Sequence, residues 1–266
     1  MFNVGRSSGV NMPLYTVSAI ILRRINFGET DRIATLYARE RGKISGIAKG
    51  ARKPVSRLSG VTETLAYGKY QLAVGKTLDV ITQAETKESF PRIHADLSRI
   101  TCATYMAELV DKFVEEHEAN IDLFDLLLSA LYLLERPNDP EKIIHMFELQ
   151  FMKLLGYEPV LDKCLQCRAN LPSGDAFFSP SLGGVVCEKC GPLPEDAIRT
   201  SREAVEAMQA LLTADAPEVE RMEIPQAIMG QIAGAMRWYI RYRAERELKS
   251  LEFLQALKVG EEPRPK

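Results

Sequence analysis

The chain is short of the features that would give it a membrane, an export route or a reaction. Its longest apolar run, Leu126 to Leu134, spans nine residues and includes Ser129, whereas a membrane-spanning helix needs about 20. The opening segment MFNVGRSSGVNMP has no apolar stretch of the kind a secretory signal carries, so a cytoplasmic location is expected. Histidine is scarce, at 3 in 266 residues. His94, His117 and His145 fall at separate places in the helical stretches, which gives imidazole acid–base chemistry little support. Gly75-Lys76-Thr77 looks like the end of a phosphate-binding loop, but that loop needs glycine at position 70, where Tyr70 stands. Gly42 to Gly46 holds its serine at the wrong spacing for a nucleophile elbow. His117-Glu118 lacks the second histidine of a zinc protease helix, and no H-x-E precedes Cys187 as a zinc deaminase requires. A protein without catalytic activity is the expectation.

Net charge is also small: 34 Lys+Arg stand against 36 Asp+Glu, for a formal charge of -2. Spread evenly, that balance would argue against a polyanion partner. It is not spread evenly. Residues 1–90 carry +7 and residues 91–266 carry -9. Between residues 23 and 57 lie ten cations: Arg23, Arg24, Arg32, Arg39, Arg41, Lys43, Lys49, Arg52, Lys53 and Arg57. Only Glu29, Asp31 and Glu40 oppose them. Charges beyond about 8 Å are screened at physiological salt, so a polyanion meets the local density and not the total. The ten cations are the candidate nucleic-acid contacts.

The same region reads as a small β domain. Tyr15 to Leu22, Ile33 to Ala38, Lys43 to Ala48, Leu65 to Val74 and Asp79 to Ala84 are rich in β-branched and aromatic residues and bounded by glycine turns. Five short strands in about 70 residues suit the five-stranded Greek-key barrel known as the OB-fold, which binds oligonucleotides. Such barrels track phosphates with cations and stack bases on aromatic rings. Tyr37, Tyr67 and Tyr70 are the candidate stackers, though each equally suits strand packing.

From Pro91 the apolar period changes to that of helices. Ile93, Leu97, Ile100, Met106, Leu109, Val110 and Phe113 mark a first helix through His117. Asp122 to Leu134 and Pro140 to Leu155 mark two more, with Thr200 and Glu203 as a capping box for a fourth reaching about Thr213. Ile224-Pro225 opens a fifth to about Lys249, which carries Arg237, Arg241, Arg243 and Arg246 as a second basic patch. Cations near a helix C-terminus also complement its dipole, a purely structural reading of the same residues.

Residues 160–195 interrupt the helices with Cys164-Leu-Gln-Cys167 and, nineteen residues on, Cys187-Glu-Lys-Cys190. Two C-x2-C knuckles at this spacing fit a zinc site, because each two-residue gap curls a pair of thiolates around one ion. Four sulfurs leave no open coordination position, so one structural Zn2+ per chain is expected, holding an insertion poor in apolar groups. A redox disulfide switch is the rival reading of these four. Cys102, inside the first helix, reads as plain core.

Three features now stand in order: the opening LYTVSAIILRRINFGETDRIATLYARERGKISGIAKGARKPVSRLSG, the helical segment, and CLQC…CEKC set inside the helices before TSREAVEAM. In this the chain resembles the RecO family of bacterial recombination mediator and DNA repair proteins, from about Pro13 to Leu257. The resemblance implies an α+β architecture: a flexible extension over 1–12, an OB-fold DNA-binding domain over 13–88, an α-helical domain over 89–257 with its zinc-binding insertion at 160–195, and a flexible tail over 258–266. It implies binding of single- and double-stranded DNA, annealing of complementary strands, and help in loading recombinase onto strands coated by single-strand binding protein. The implied partners are the mediator protein RecR and the acidic C-terminal tail of single-strand binding protein. The implied setting is the bacterial cytoplasm, with nucleoid association during repair. Lys49, Arg52, Lys53 and Arg57 fall in the family's Gly-Lys/Arg segment, where phosphate contact is expected. Two other classes fit parts of the pattern: a zinc-ribbon factor that binds single-stranded RNA or DNA without annealing it, and a redox-switched zinc chaperone.

Overall fold

Strand alternation builds the first unit. In β1 (Leu14–Phe27), β2 (Asp31–Ala38) and β3 (Gly42–Ala48), every second side chain points inward, and Val17, Ala19, Ile21, Ala34, Leu36, Ala38, Ile44 and Ala48 form one buried cluster. β4 (Tyr67–Ala73) and β5 (Asp79–Glu88) add Tyr70, Leu72 and Ile81 to it. The strands close into a barrel in the order β1-β2-β3-β5-β4, antiparallel except for β3 with β5, which run parallel through Gly46–Asp79 and Ile47–Val80. This is the five-stranded OB-like barrel expected from the sequence.

The structure is a computed structural model describing residues 12–171 and 174–244. Two compact units divide them: 12–89 with 116–119, and 90–115 with 120–244.

The barrel differs from the sequence reading in several details; β5, for one, runs on from Ala84 to Glu88. β1 runs five residues past Leu22, to Phe27, because a bulge between Ile21 and Arg23 resets the register and lets the strand pair on with β2. A short helix, α1 (Leu58–Val61), lies between β3 and β4. It brings Val61 O to accept a 2.8 Å hydrogen bond from the Tyr70 hydroxyl. The segment Glu116–Ala119 packs with the barrel: His117 N donates to Lys43 O at 2.9 Å. Gly42 permits this approach, since a Cβ there would sit 2.0 Å from Glu118 O. The first long helix therefore ends at Phe113 and not at His117, which has left-handed backbone (φ 66°).

In the second unit the single first helix of the sequence reading is two: α2 (Pro91–Ala95) and α3 (Leu97–Phe113). Asp96 breaks them by taking an extended conformation and capping α3, its carboxylate accepting from Arg99 N at 2.9 Å. α4 (Ile121–Glu135) is capped by Asn120 and α5 (Pro140–Leu154) by Asp139. α5 packs against α3 and α4, and also against α6 (Arg202–Thr213) and α8 (Gln226–Ala244), so it is buried on nearly all sides. Along it lie Lys142, His145 and Glu148, all buried. Glu148 accepts from the Tyr105 hydroxyl at 2.7 Å and pairs with His145 Nδ1 at 2.6 Å. Burial first, and the Glu148 charge next, push the Tyr105 hydroxyl well up from its ordinary value, so it stays a donor. Lys142 Nζ donates to Met222 O at 2.8 Å, just beyond the short helix α7 (Ala216–Arg221).

The cap of α6 corrects the sequence reading. Thr200 belongs to a strand, and Ser201 is the N-cap, accepting from Ala204 N at 3.3 Å. A true capping box sits instead at Asp215 and Glu218, at the start of α7.

Candidate nucleic-acid interface and metal centre

The ten barrel cations do not form one patch. Gly42 to Ala48 spans about 20 Å of extended chain, and most of the cations divide between its two ends, with Arg23 in register with its middle. Arg39, Arg41 and Lys43 lie at the β2–β3 turn, where the Arg41 guanidinium sits 4.1 Å from the centre of the Tyr15 ring. The Tyr15 hydroxyl donates to Asp79.

Arg24 and Arg32 point to the inner side of the barrel's other end, in register with core residue Ala34 and next to Ala48 respectively. Glu63, just after α1, takes both of them, at 2.6 Å from Arg24 Nη2 and 3.0 Å from Arg32 Nη1. These two cations plug the barrel end, an arrangement invisible to charge counting.

Lys49, Arg52, Lys53 and Arg57 remain exposed on the loop after β3. This loop is pinned to the β1–β2 turn. Arg52 N donates to Thr30 O and Arg52 Nη1 to Gly28 O, both at 2.9 Å. Gly50 N donates to Asp31 Oδ1 at 2.8 Å, and the Thr30 hydroxyl to the same oxygen at 2.9 Å. Those two hydrogen bonds, the Gly50 one foremost, hold the Asp31 carboxyl below the usual range, with Lys49 and Lys53 adding to the effect. The loop is thus a preorganised cationic rim, which loses less ordering entropy on binding than a free one would. Arg23 is exposed too, on the outer face of β1.

Tyr37 and Tyr70 are fully buried. Burial pushes both hydroxyls up, and neither ring is open to a base. Tyr67 is half-buried, with Lys87 Nζ 5.2 Å from its ring centre. Alternation places a tyrosine on one face or the other, but it does not tell whether that face is covered.

The cysteine insertion builds a three-stranded antiparallel sheet from β6 (Ala176–Ser179), β7 (Gly184–Cys187) and β8 (Ile198–Thr200), in the order β7-β6-β8. It is richer in core than its composition suggested. Phe178 is fully buried and meets Tyr239 of α8 edge-to-face at 5.6 Å. Cys164 and Cys187 are buried with Val186.

All four sulfurs, of Cys164, Cys167, Cys187 and Cys190, lie within 4.8 Å of one another. Three separations are 3.9 Å (Cys164–Cys190), 3.8 Å (Cys167–Cys187) and 3.5 Å (Cys187–Cys190). A tetrahedron with metal–sulfur bonds of about 2.3 Å has edges of about 3.8 Å, so the set fits a tetrahedral dication. The same distances far exceed the roughly 2 Å of a disulfide. The thiols themselves are in conflict. Burial raises Cys164, but N–H groups of Cys167, Cys187 and Gln166 outweigh it and bring the thiol to about 6. Hydrogen bonding with Cys187, then with Cys167, pushes Cys190 up to about 12. A cation at the centre would resolve this by favouring every thiolate.

The second basic patch is likewise divided. Arg237 and Arg241 share a face of α8 at i, i+4. Arg241 lies 5.6 Å from the ring of exposed Trp238. Arg243 turns the other way, within 5.3–5.5 Å of the rings of Tyr239, Tyr242 and Tyr157. Arg246 lies outside the described residues. Trp238, Arg241 and Tyr242 line a groove of about 780 Å³ with Pro180, Pro194 and Ile198. No helix among the described residues is long and apolar enough to cross a membrane.

A small closed barrel with a cationic rim and a helical unit that carries a four-cysteine ribbon make a two-unit protein. Comparison with known families makes this specific. Residues 12–90 match the family model described as Recombination protein O N terminal, and residues 94–252 match Recombination protein O C terminal. The chain belongs to the RecO family of DNA repair proteins. It is 38% identical over 250 residues to the DNA repair protein RecO of Symbiobacterium thermophilum, covering 93% of this chain and 99% of that one. It is also 38% identical to that of Pelotomaculum thermopropionicum, over 95% of this chain and 97% of the relative. Identity to that of Acetivibrio thermocellus is 30%, over 90% and 96%.

Proposed function

We propose that the protein is a recombination mediator that binds single- and double-stranded DNA without covalent chemistry and anneals complementary strands. In this reading it also helps load recombinase onto strands coated by single-strand binding protein. The observation that carries the reading is the rim of Lys49, Arg52, Lys53 and Arg57, exposed and pinned to the β1–β2 turn. Cations on such a rim neutralise phosphates and release condensed counterions. Two strands held there repel each other less, and their bases can pair.

The finer assignments follow from the same reading. The metal is Zn2+, one per chain, held by Cys164, Cys167, Cys187 and Cys190, and its role is to fix the ribbon. The partners are RecR and the tail of single-strand binding protein. The groove beside Trp238 and Arg241 supports tail docking in the helical unit, because it joins apolar walls to a cation. The work is done in the bacterial cytoplasm, at the nucleoid during repair.

Annealing of complementary oligonucleotides coated with the cognate single-strand binding protein tests the proposal. Pairing should accelerate when the protein is added, and slow again when Lys49 and Lys53 are both replaced by alanine. No acceleration over the coated strands alone would refute it and favour a single-strand binding factor.

A further inference from the structure

The outer face of the barrel carries an apolar strip that phosphate contact leaves unexplained. Ile25 pairs with Ile33, Ile33 with Ile47, and Ile47 with Val80. Residues directly opposite in a sheet share a face. Their neighbours Ala34, Ala48 and Ile81 fill the core, so this row points outward across four strands. Ile25 is 49% exposed, and the other three are half-buried. Two residues beyond Ile25, on the same face, stands Phe27, 52% exposed. An exposed aromatic ring beside a partly exposed aliphatic row is the kind of apolar patch that binding surfaces carry.

Cations bracket the strip. Arg23 precedes Ile25 by two residues on the same face, which is about 7 Å along a strand. At the other end, Arg52 donates to the carbonyl of Gly28, the residue that follows Phe27, and Lys49 and Lys53 share its loop. Asp31 pairs with Phe27 across the strands, and the N–H of Gly50 and the hydroxyl of Thr30 both donate to one of its carboxylate oxygens. Glu29 is exposed in the turn. A ribbon of negative charge can therefore run over the two cationic ends while flat apolar groups face the strip between them.

We infer that Phe27 is a base-stacking residue and that the Ile25–Ile33–Ile47 row is the base-facing floor of a single-strand site. The inference rests on the proposed DNA-binding role of the loop and adds the chemical class that this face selects: unpaired nucleobases. A duplex keeps its base faces stacked inside and can use only the cations. Stacking on an aromatic ring is sequence-tolerant, because every base has a π-face.

The test compares three ligands of equal length: an oligo-dT strand, an abasic deoxyribose-phosphate strand, and a duplex. Phe27→Ala should weaken binding to oligo-dT about tenfold and leave the abasic strand and the duplex unchanged. Phe27→Trp, made in a Trp238→Phe background, should keep the affinity and lose indole fluorescence when oligo-dT binds. Equal loss on all three ligands, or no loss on any, would overturn the stacking role, as would an unquenched tryptophan at position 27. In those outcomes the loop reading still stands if Lys49→Ala/Lys53→Ala weakens all three. If that variant binds all three normally, the DNA-binding role of the loop fails as well.

Discussion

Replacing Lys49 and Lys53 with alanine is the sharpest test of how the rim works. Both side chains are exposed, and the loop's anchoring hydrogen bonds run through Gly50, Arg52 and Asp31. The change therefore removes charge and leaves the frame. If each of the four rim cations neutralises one phosphate of a single strand, the slope of log K against log salt is about -2.8, at -0.7 per phosphate. Between 50 and 200 mM salt the wild type should then lose about 50-fold in affinity. The double variant keeps two contacts, for a slope of about -1.4 and a loss of about sevenfold over the same range. Fluorescence anisotropy of a labelled oligonucleotide at several salt concentrations measures both slopes. An unchanged slope in the variant would refute the assignment, even if its affinity fell.

Other perturbations probe the frame. Metal analysis of protein purified without added zinc should find one zinc per chain, and Cys187→Ser should lose it. Because structural zinc contributes on the order of 10 kcal/mol, chelation should unfold the ribbon, seen as rapid amide exchange over β6 and β7; full retention of protection would contradict the metal assignment. Glu148→Ala strands His145 and the Tyr105 hydroxyl in the core and should cost about 3–5 kcal/mol, readable by urea denaturation. A loss under 1 kcal/mol would mean that the network is dispensable. Asp31 is held below its ordinary range in the folded chain. The stability it contributes is therefore full above its unfolded value of about 4. It is lost as pH falls through the lower folded value, so the loop should detach in acid. Amide exchange at Gly50, corrected for intrinsic pH dependence, should rise in that window, and Asp31→Asn should abolish the transition.

Much of the fold was legible because its signals are local. Glycine turns around β-branched runs mark all five strands, and the run from Pro140 marks α5. What escaped depends on contacts distant in sequence. The Ile21–Arg23 bulge that carries β1 on to Phe27 is set by pairing with β2, and Arg23-Arg24 reads locally as a strand end. Ser201 caps α6 because β8 claims Thr200. The ten cations seemed one patch because they are close in sequence, yet β3 separates them by its full length and Glu63 withdraws two. Phe27, next to Gly28, reads locally as part of a turn. A signal was present in the spacing Arg23, Ile25, Phe27, once β1 is known to continue. The four cysteines were the most legible feature of all, because knuckle spacing is itself coordination geometry.

In the proposed function DNA lies on the barrel, across the β1–β2 hairpin and the loop after β3. Amide hydrogen exchange of the whole chain, with and without a saturating single-stranded oligonucleotide, locates it directly. Exchange should slow over residues 25–33 and 49–57, with the helical unit little changed. Protection confined to the helical unit would contradict it.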